Sequence, residues 1–516
     1  MPRLPHVLAL LATLAALTLR LNPCLALATT PPSGTLNVVL MGATGNLAQK
    51  YLWTSLSNIR ERGVQTAARL TVWPAATKPS AQSEPVVRRI LRENATYSSD
   101  ASRAAFLDRV APYTQLAQPD DYSALSRAIA ERLRAEDSRE AGRLVYLSVP
   151  PKFFGGIAQA INERLRPSDA GAWLKVIVEK PFGVDLASAQ QLSRELFSHL
   201  RADEVLLIDH YCGKATLSAL RDFYRANPHY PAQVLTGERV REIRVHMVET
   251  EDVRGRTGFY DDVGVVRDTM QNHLMIMLQL AAMDVGNGKS EEENRLAVLR
   301  AIPSGEHVLE RLGQYADYNA HLAEDGNARG DGAESLTPTY ARVAMRVGAP
   351  HRLAGARVVL TAGKALKARR AFVQFAFRDG ATLTLNVQGE LGPDVLGERA
   401  TVSGAAVHAT SGLPEFAGVP PGWTLDPATR RTALAPKSFP NAYEVLLTDA
   451  LEGRFDSFVK IPEVLEAWRL WSPVLDTVAD ASREAKRLVL YKHGGQGLDD
   501  AWNGVPNAPQ RERGEL

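Results

Sequence analysis

Cysteine is almost absent, with two in 516 residues, Cys24 and Cys212. Cys24 falls in an apolar leader, so Cys212 stands alone and no intramolecular disulfide is expected. An excess of either charge is also missing. Against 60 Lys plus Arg there are 58 Asp plus Glu, and the interspersed signs leave a formal net charge of +2. That balance carries no signature of nucleic acid or of an acidic ligand. The only long apolar run, residues 7–19, ends at Arg20 and is shorter than the roughly 20 residues that span a bilayer. No internal repeat is present. What the chain does have is an ordinary globular balance, 45% hydrophobic and 23% charged, and enough length for two domains.

Both ends carry targeting features. Arg3, the run 7–19 and Ala26-Leu27-Ala28 follow the basic, hydrophobic and small-residue order of a secretory signal. Residues 1–28 are therefore expected to be removed, with a membrane anchor as the alternative, and no anchor is expected to remain after removal. Asn94-Ala95-Thr96 is an acceptor tripeptide for glycosylation if the chain enters that route. Arg513-Gly514-Glu515-Leu516 shares its last two positions with a K-D-E-L retention signal, and an arbitrary polar tail reads equally well.

Between these ends, strand and helix patterns alternate. The apolar stretch Leu36 to Met41 runs into Gly42-Ala43-Thr44-Gly45-Asn46-Leu47-Ala48, a glycine turn before a helix. There the backbone can approach a pyrophosphate at a helix N-terminus, although glycines also join strands to helices for purely structural reasons. Further strands are expected at 68–73, 144–149 and 174–178, with helices at 84–93, 101–113 and 124–134. Such alternation predicts a parallel, doubly wound sheet with ligands beyond the carboxyl ends of its strands. From about residue 235 the pattern changes to runs of strands, at 240–250, 340–347, 357–361, 371–377 and 382–388, and helices at 265–283, 443–451 and 462–475. These fit a larger domain with a mainly antiparallel sheet. Residues 286–334 and 411–440 read as peripheral connections. The expected division is 34–208, 209–485 and a polar tail over 486–516.

Chemistry is expected to centre on Asp209-His210-Tyr211-Cys212-Gly213-Lys214, directly behind the apolar run Val205 to Ile208. Polar and ionisable groups crowded at a strand end mark a site or, on the blander reading, satisfy backbone groups.

Taken in order, the motifs resemble the glucose-6-phosphate dehydrogenase family, and most closely the dehydrogenase part of its endoplasmic-reticulum hexose-6-phosphate branch. They are Gly42 to Ala48, Tyr51-Leu52-Trp53, Glu179-Lys180-Pro181-Phe182-Gly183, Asp209 to Lys214, Gly264 to Asp268 with Gln271-Asn272-His273-Leu274, Gly363-Lys364-Ala365-Leu366 and Glu466-Ala467-Trp468. The resemblance implies oxidation of a hexose 6-phosphate to its lactone, with hydride passing to NADP or NAD, in a homodimer of the reticulum lumen. By that match His273 is the base and Asp209 its orienting carboxylate, a pairing suited to taking a hydroxyl proton near neutral pH. His210, Tyr211, Lys214 and Lys364 match phosphate-binding positions, where charge-assisted hydrogen bonds hold the ligand. Lys180, Glu249 and Asp268 match residues that position the sugar. Gly42, Thr44, Gly45, Asn46, Leu47 and Thr77, with Lys180, match the coenzyme side, and no residue is matched to a metal.

The chain also departs from the family pattern. Asn46 stands for a usual Asp, Gln49 for a Lys, Cys212 for a Leu and Ala215 for a polar residue. After the second strand Pro74-Ala75-Ala76-Thr77-Lys78 offers neither the arginine that suits a 2′-phosphate nor an acid for ribose hydroxyls, so relaxed coenzyme choice is expected, with Thr77 and Lys78 as contacts. A dehydrogenase of unphosphorylated sugar and a non-catalytic protein of the same fold are the alternatives.

Overall fold

The structure, a computed structural model, describes residues 34–62, 70–328, 330, 332–483 and 488–498. The expected leader, Cys24 and the terminal Arg513 to Leu516 lie outside the described residues.

The first half builds one six-stranded sheet from β1 (Thr35–Met41), β2 (Leu70–Ala76), β3 (Thr114–Gln115), β4 (Glu140–Leu147), β5 (Trp173–Glu179) and β6 (Val205–Ile208). Their order is β3-β2-β1-β4-β5-β6, and every neighbouring pair is parallel. β1 and β4 are buried along their whole length, as mainly apolar strands covered on both faces must be, and the polar Asn37, Glu140 and Arg143 among them bond one another. The order reverses between β1 and β4, which opens a crevice at their carboxyl ends. This is the Rossmann-like arrangement expected. Helices fall between the strands, among them Ser80–Glu93, Pro119–Ala135 and Phe154–Arg164. The helix expected over 101–113 spans Asp100–Leu107 instead, because Val110 leaves it to bridge Val72 at the sheet edge.

The larger second part is a ten-stranded mixed sheet. Its strands are β7 (Val240–Val248), β8 (Val308–Tyr315), β9 (Tyr340–Arg346), β10 (Arg357–Gly363), β11 (Arg370–Phe377), β12 (Thr382–Gln388), β15 (Ala406–Ala409), β16 (Thr424–Leu425), β17 (Thr432–Leu434) and β18 (Val489–Tyr491), while β13 (Glu390–Leu391) and β14 (Val402–Ser403) pair separately. The order is β16-β17-β15-β12-β11-β7-β10-β9-β8-β18. Most neighbours are antiparallel; β7 with β10 and β8 with β18 are parallel.

Three readings are corrected here. Residues 286–334 contain β8 and the helices Glu291–Arg300 and Tyr318–Glu324, and residues 411–440 contain β16 and β17. Charges at Glu310 and Arg311 interrupt the apolar alternation of β8, which hid it in the sequence. Residues 486 onward are not wholly a polar tail either. β18 adds an edge strand there, anchored by buried Tyr491, whose hydroxyl donates to the carbonyl of Lys364 at 2.7 Å.

The long helix Ile461–Arg483 ties the two sheets together. Trp468 packs in the core of the first sheet, whereas Trp471 and Val474 pack in the large core shared with the second. Just before it, the Val459 amide donates to the Leu207 carbonyl at 3.0 Å, so the edge of β6 is covered. The helical stretch expected over 265–283 follows a break at Gly264 (φ +64°), winds in wide π-type turns over Val266–Leu274 and continues as Met275–Ala282. Wide turns of this kind favour functional positions, and His273 lies in this one.

Candidate active site

At the carboxyl end of β6 the backbone stays extended through Asp209 and then tightens into the single turn His210–Gly213. The Asp209 carboxylate accepts the Tyr211 amide at 2.9 Å, which fixes both the turn and the carboxylate. Gly213 is required by packing, since a Cβ there would lie 2.2 Å from the Ala442 carbonyl oxygen. Across from this turn, His273 directs Nδ1 at Asp209, with contacts of 2.8 and 2.9 Å to the two carboxylate oxygens. Its Nε2 meets Lys180 Nζ at 2.7 Å, and the same Nζ donates to the Asp268 carbonyl at 3.0 Å. Lys180 arrives from the end of β5. The three groups form one line, Asp209–His273–Lys180.

Burial decides the charges along it. His273 is 3% exposed and Asp209 6%. Loss of water pulls the His273 imidazole below its usual pKa, Lys180 adds to that, and Asp209 opposes it. Burial works to raise the Asp209 carboxyl, but His273, His210 and Lys180 together overcome it and hold the group well below the carboxylate range. The stable state at neutral pH is therefore an ionised Asp209 beside a neutral His273 that keeps its proton on Nδ1 and its lone pair on Nε2. Such a ring can take a proton from a hydroxyl. Asp209, His210 and His273 also present ligand-type atoms within 4.8 Å of one another. The Lys180 contact on Nε2 makes a cation there unfavourable.

The other predicted residues fall around this line. His210 stands edge-on to His273, with ring centres 4.7 Å apart, and near-parallel to Tyr443 at 5.8 Å. Burial and the neighbouring His273 push its pKa well down. Buried Tyr211 lies 4.7 Å from His273. Lys214 reaches Gln388 at 3.2 Å and lies 5.8 Å over the Tyr211 ring. Its pKa is lowered, first by burial and then by Arg369.

Lys364 and Glu249 come together through register. In the parallel pair β7 and β10, Val248 is opposite Gly363, so the next residues emerge side by side. Lys364 is 4% exposed, bonds Glu249, and lies 2.9 Å from Asp268. Burial would lower its pKa, and the two carboxylates more than reverse that. Its charge is thus already compensated, and it groups with Glu249 and Asp268 instead of with Lys214.

Sequence reasoning missed several neighbours. Arg369, in a basic run that looks like solvated surface, acts electrostatically on both Tyr211 and Lys214. Arg256 lies 3.7 Å from Asp268. Glu179, next to Lys180, takes a bond from the Tyr146 hydroxyl at 2.5 Å, and burial pushes its pKa up to about 7. Cys212 has a bland role: it is buried in the core and its thiol is pushed well up by burial, which makes it unreactive.

On the first sheet, the Gly42–Leu47 turn follows β1. Gly42 has φ +84°, and a Cβ there would lie 2.1 Å from the Ser148 carbonyl oxygen. The Gly45 amide closes the turn on the Gly42 carbonyl at 2.8 Å. Next to it, at the carboxyl ends of β1 and β2, opens a cleft lined by Met41, Ala76, Thr77, Tyr122, Val149 and Lys152. Thr44, Gly45 and Leu47 are partly buried in the turn, Asn46 and Thr77 are exposed beside it, and Lys78 is exposed. Lys152 was not foreseen because it follows two prolines rather than the second strand.

Residues 39–218 match the NAD binding domain of glucose-6-phosphate dehydrogenase, and residues 224–507 match its C-terminal domain. The chain belongs to the glucose-6-phosphate dehydrogenase family. Within that family it is 33% identical over 493 residues to the GDH/6PGL endoplasmic bifunctional protein of Oryctolagus cuniculus, across 88% of this chain and 60% of that protein. It is 27% identical to the cytoplasmic glucose-6-phosphate 1-dehydrogenase 6 of Arabidopsis thaliana, across 91% of each. A solved glucose-6-phosphate dehydrogenase in complex with glucose 6-phosphate shares the fold, with a TM-score of 0.72 and 24% identity over 91% of this chain and 96% of that one. The domain matched by residues 39–218 is described as NAD binding, and the glycine turn beside an open cleft offers the close backbone approach that a dinucleotide needs. Among the described residues no helix is long and apolar enough to cross a membrane.

Proposed function

We propose that this chain oxidises carbon 1 of glucose 6-phosphate, and of related hexose 6-phosphates, to the lactone, passing hydride to NADP or NAD. The observation that carries the reading is the buried line Asp209–His273–Lys180 at the carboxyl ends of β5 and β6. His273 Nε2 takes the proton of the anomeric hydroxyl, which displaces Lys180 Nζ from that lone pair. Asp209 keeps Nδ1 protonated and stabilises the imidazolium as it forms. Lys180 then holds the same oxygen while the carbonyl forms. When bound, the nicotinamide supplies the hydride acceptor. His210, Tyr211 and Lys214, with Arg369 beside them, hold the phosphate; Glu249 and Asp268 hold sugar hydroxyls. Lys364 joins the phosphate only by giving up a carboxylate partner, so its first role here is to fix those two acids.

In this reading residues 34–208 hold coenzyme and residues 209–485 hold substrate. Thr77 and Lys152 line the cleft with Gln118, and Lys78 follows Thr77; taken as the ribose-side contacts, none is an arginine fork or an acid. Dual use of NADP and NAD follows. The proposed compartment is the reticulum lumen, supported by the expected leader and by the name of the rabbit relative. The proposed assembly is a homodimer, which light scattering checks.

The test is a steady-state assay crossing NADP and NAD with glucose 6-phosphate, galactose 6-phosphate and free glucose. Reduction of coenzyme that depends on the phosphate is expected. Equal turnover of glucose and glucose 6-phosphate would favour a free-sugar dehydrogenase, and no reduction with any pair would sink the proposal.

A further inference from the structure

Away from the active site, three chain segments bring ligating side chains of mixed type to one point. Asp252 lies in the loop after β7, His321 in the helix Tyr318–Glu324, and His493 two residues beyond β18. They offer one carboxylate oxygen and two imidazole nitrogens, all within 4.8 Å of one another.

The hydrogen bonds around the two rings are those of a metal site. His321 Nδ1 is engaged by the Tyr315 hydroxyl at 3.0 Å, and His493 Nδ1 by the Asp317 carboxylate at 3.3 Å. Each contact leaves Nε2 as the ligating nitrogen. An imidazole bound to metal through one nitrogen usually gives its other N–H to a carboxylate or similar acceptor, which fixes the tautomer. His493 Nε2 stands 3.7 Å from Asp252 Oδ2. Two donors on one tetrahedral ion at 2.0–2.2 Å are about 3.4 Å apart, so this pair needs a shift of a few tenths of an ångström, and the His321 ring, whose donor lies within 4.8 Å of both, moves inward to complete the set. His321 is buried, while Asp252 and His493 are half-buried, which leaves an entry path.

We propose that Asp252, His321 and His493 bind one divalent ion of the zinc class, with water in the fourth position and Asp317 holding the His493 ring from behind. Two imidazoles and a carboxylate suit zinc better than the hard cations calcium and magnesium, which take oxygen ligands. Arg254 is the competing group: its guanidinium bonds Asp252 Oδ2 at 2.9 and 2.8 Å, but its side chain is half exposed and free to swing outward.

The ion would join segments that shape the active site. The Asp252 loop begins at Glu249 and continues to Arg256, and both touch the Lys364–Asp268 cluster. The segment of His493 is bonded to the Lys364 turn, through Gly494 N–H to the Ala365 carbonyl at 2.8 Å and Lys367 N–H to the Gly495 carbonyl at 2.8 Å. Binding to the folded state alone raises stability by mass action.

The experiment uses the full chain stripped by a chelator, titrated with zinc against a chromophoric competitor, then with cobalt(II) as a spectroscopic probe. Expected are one ion per chain, a visible cobalt spectrum of tetrahedral type and a Tm that rises with zinc. His493→Gln and Asp252→Asn should each weaken zinc at least tenfold and abolish the Tm rise; two variants are used in case one fails to fold. Asp317→Asn should weaken it less. No binding, or binding unchanged in both variants, would overturn the site. Zinc lost only in His273→Gln would place the ion on the catalytic line and overturn it equally.

Discussion

Two buried clusters of charge lie side by side in this protein, and they are built on opposite principles. In Asp209–His273–Lys180 a neutral ring sits between unlike charges, with one nitrogen holding a proton and the other offering a lone pair. In Glu249–Lys364–Asp268 two carboxylates share one lysine, with Arg256 behind, and every charge is compensated. The first arrangement is poised to move a proton. The second is poised to stay where it is. Burial of similar depth thus yields reactivity where a titratable group is left between states, and rigidity where ions are fully paired.

The sharpest way to break this contrast is Asp209→Asn. It removes the charge that stabilises the imidazolium and frees the wrong tautomer, so kcat should fall about 10²–10⁴-fold while coenzyme affinity, measured by fluorescence titration, holds. On the other cluster, Lys364→Met leaves buried Glu249 without its ion pair and Asp268 with only the longer Arg256 contact, and urea unfolding should show a loss of about 3–5 kcal/mol. Adding Glu249→Gln to that variant should recover part of the loss, as paired charges require and independent ones do not.

How much of this the sequence disclosed differs between the two clusters. Asp209 was visible because it ends an apolar strand inside a polar run, and His273 because its neighbours match a known motif. The 64-residue separation between them closes through tertiary structure, yet the motif carried the pairing. The pairing of Lys364 was not visible. It depends on the parallel register of β7 with β10, and such a pairing leaves no local mark on either strand. For the same reason β8 and β18, one interrupted by charges and one only three residues long, escaped a reading based on periodicity. Arg369 sits in the basic run Lys367 to Arg370, where nothing in the sequence marks which cation faces the site. The parallel order of the first sheet was legible because most of its strands carry a mainly apolar run before a helix, whereas the two-residue β3, Thr114–Gln115, carries none and was not foreseen.

Smaller effects sharpen the division of labour. Lys214→Ala should raise KM for glucose 6-phosphate about tenfold, equivalent to ~1.4 kcal/mol, with kcat little changed, since its contact is the same in ground and transition states. Arg369→Ala should act in the same direction and less. Glu179 tests the link between the clusters and the sheet. Its pKa, pushed up to about 7 from a usual 4.5 by burial, means that the folded state prefers the protonated acid. The associated stability is fully present below about pH 4.5 and is lost as pH rises through about 7. Glu179→Gln should therefore flatten the dependence of Tm on pH across that window.

The most direct single measurement is the steady-state rate of NADP reduction by glucose 6-phosphate in the native chain and in His273→Ala, with NADP affinity measured in parallel. The expected result is a fall in kcat of at least about a hundredfold with NADP affinity unchanged. Turnover kept within a few-fold of native, or equal loss of coenzyme binding, would contradict His273 as the base.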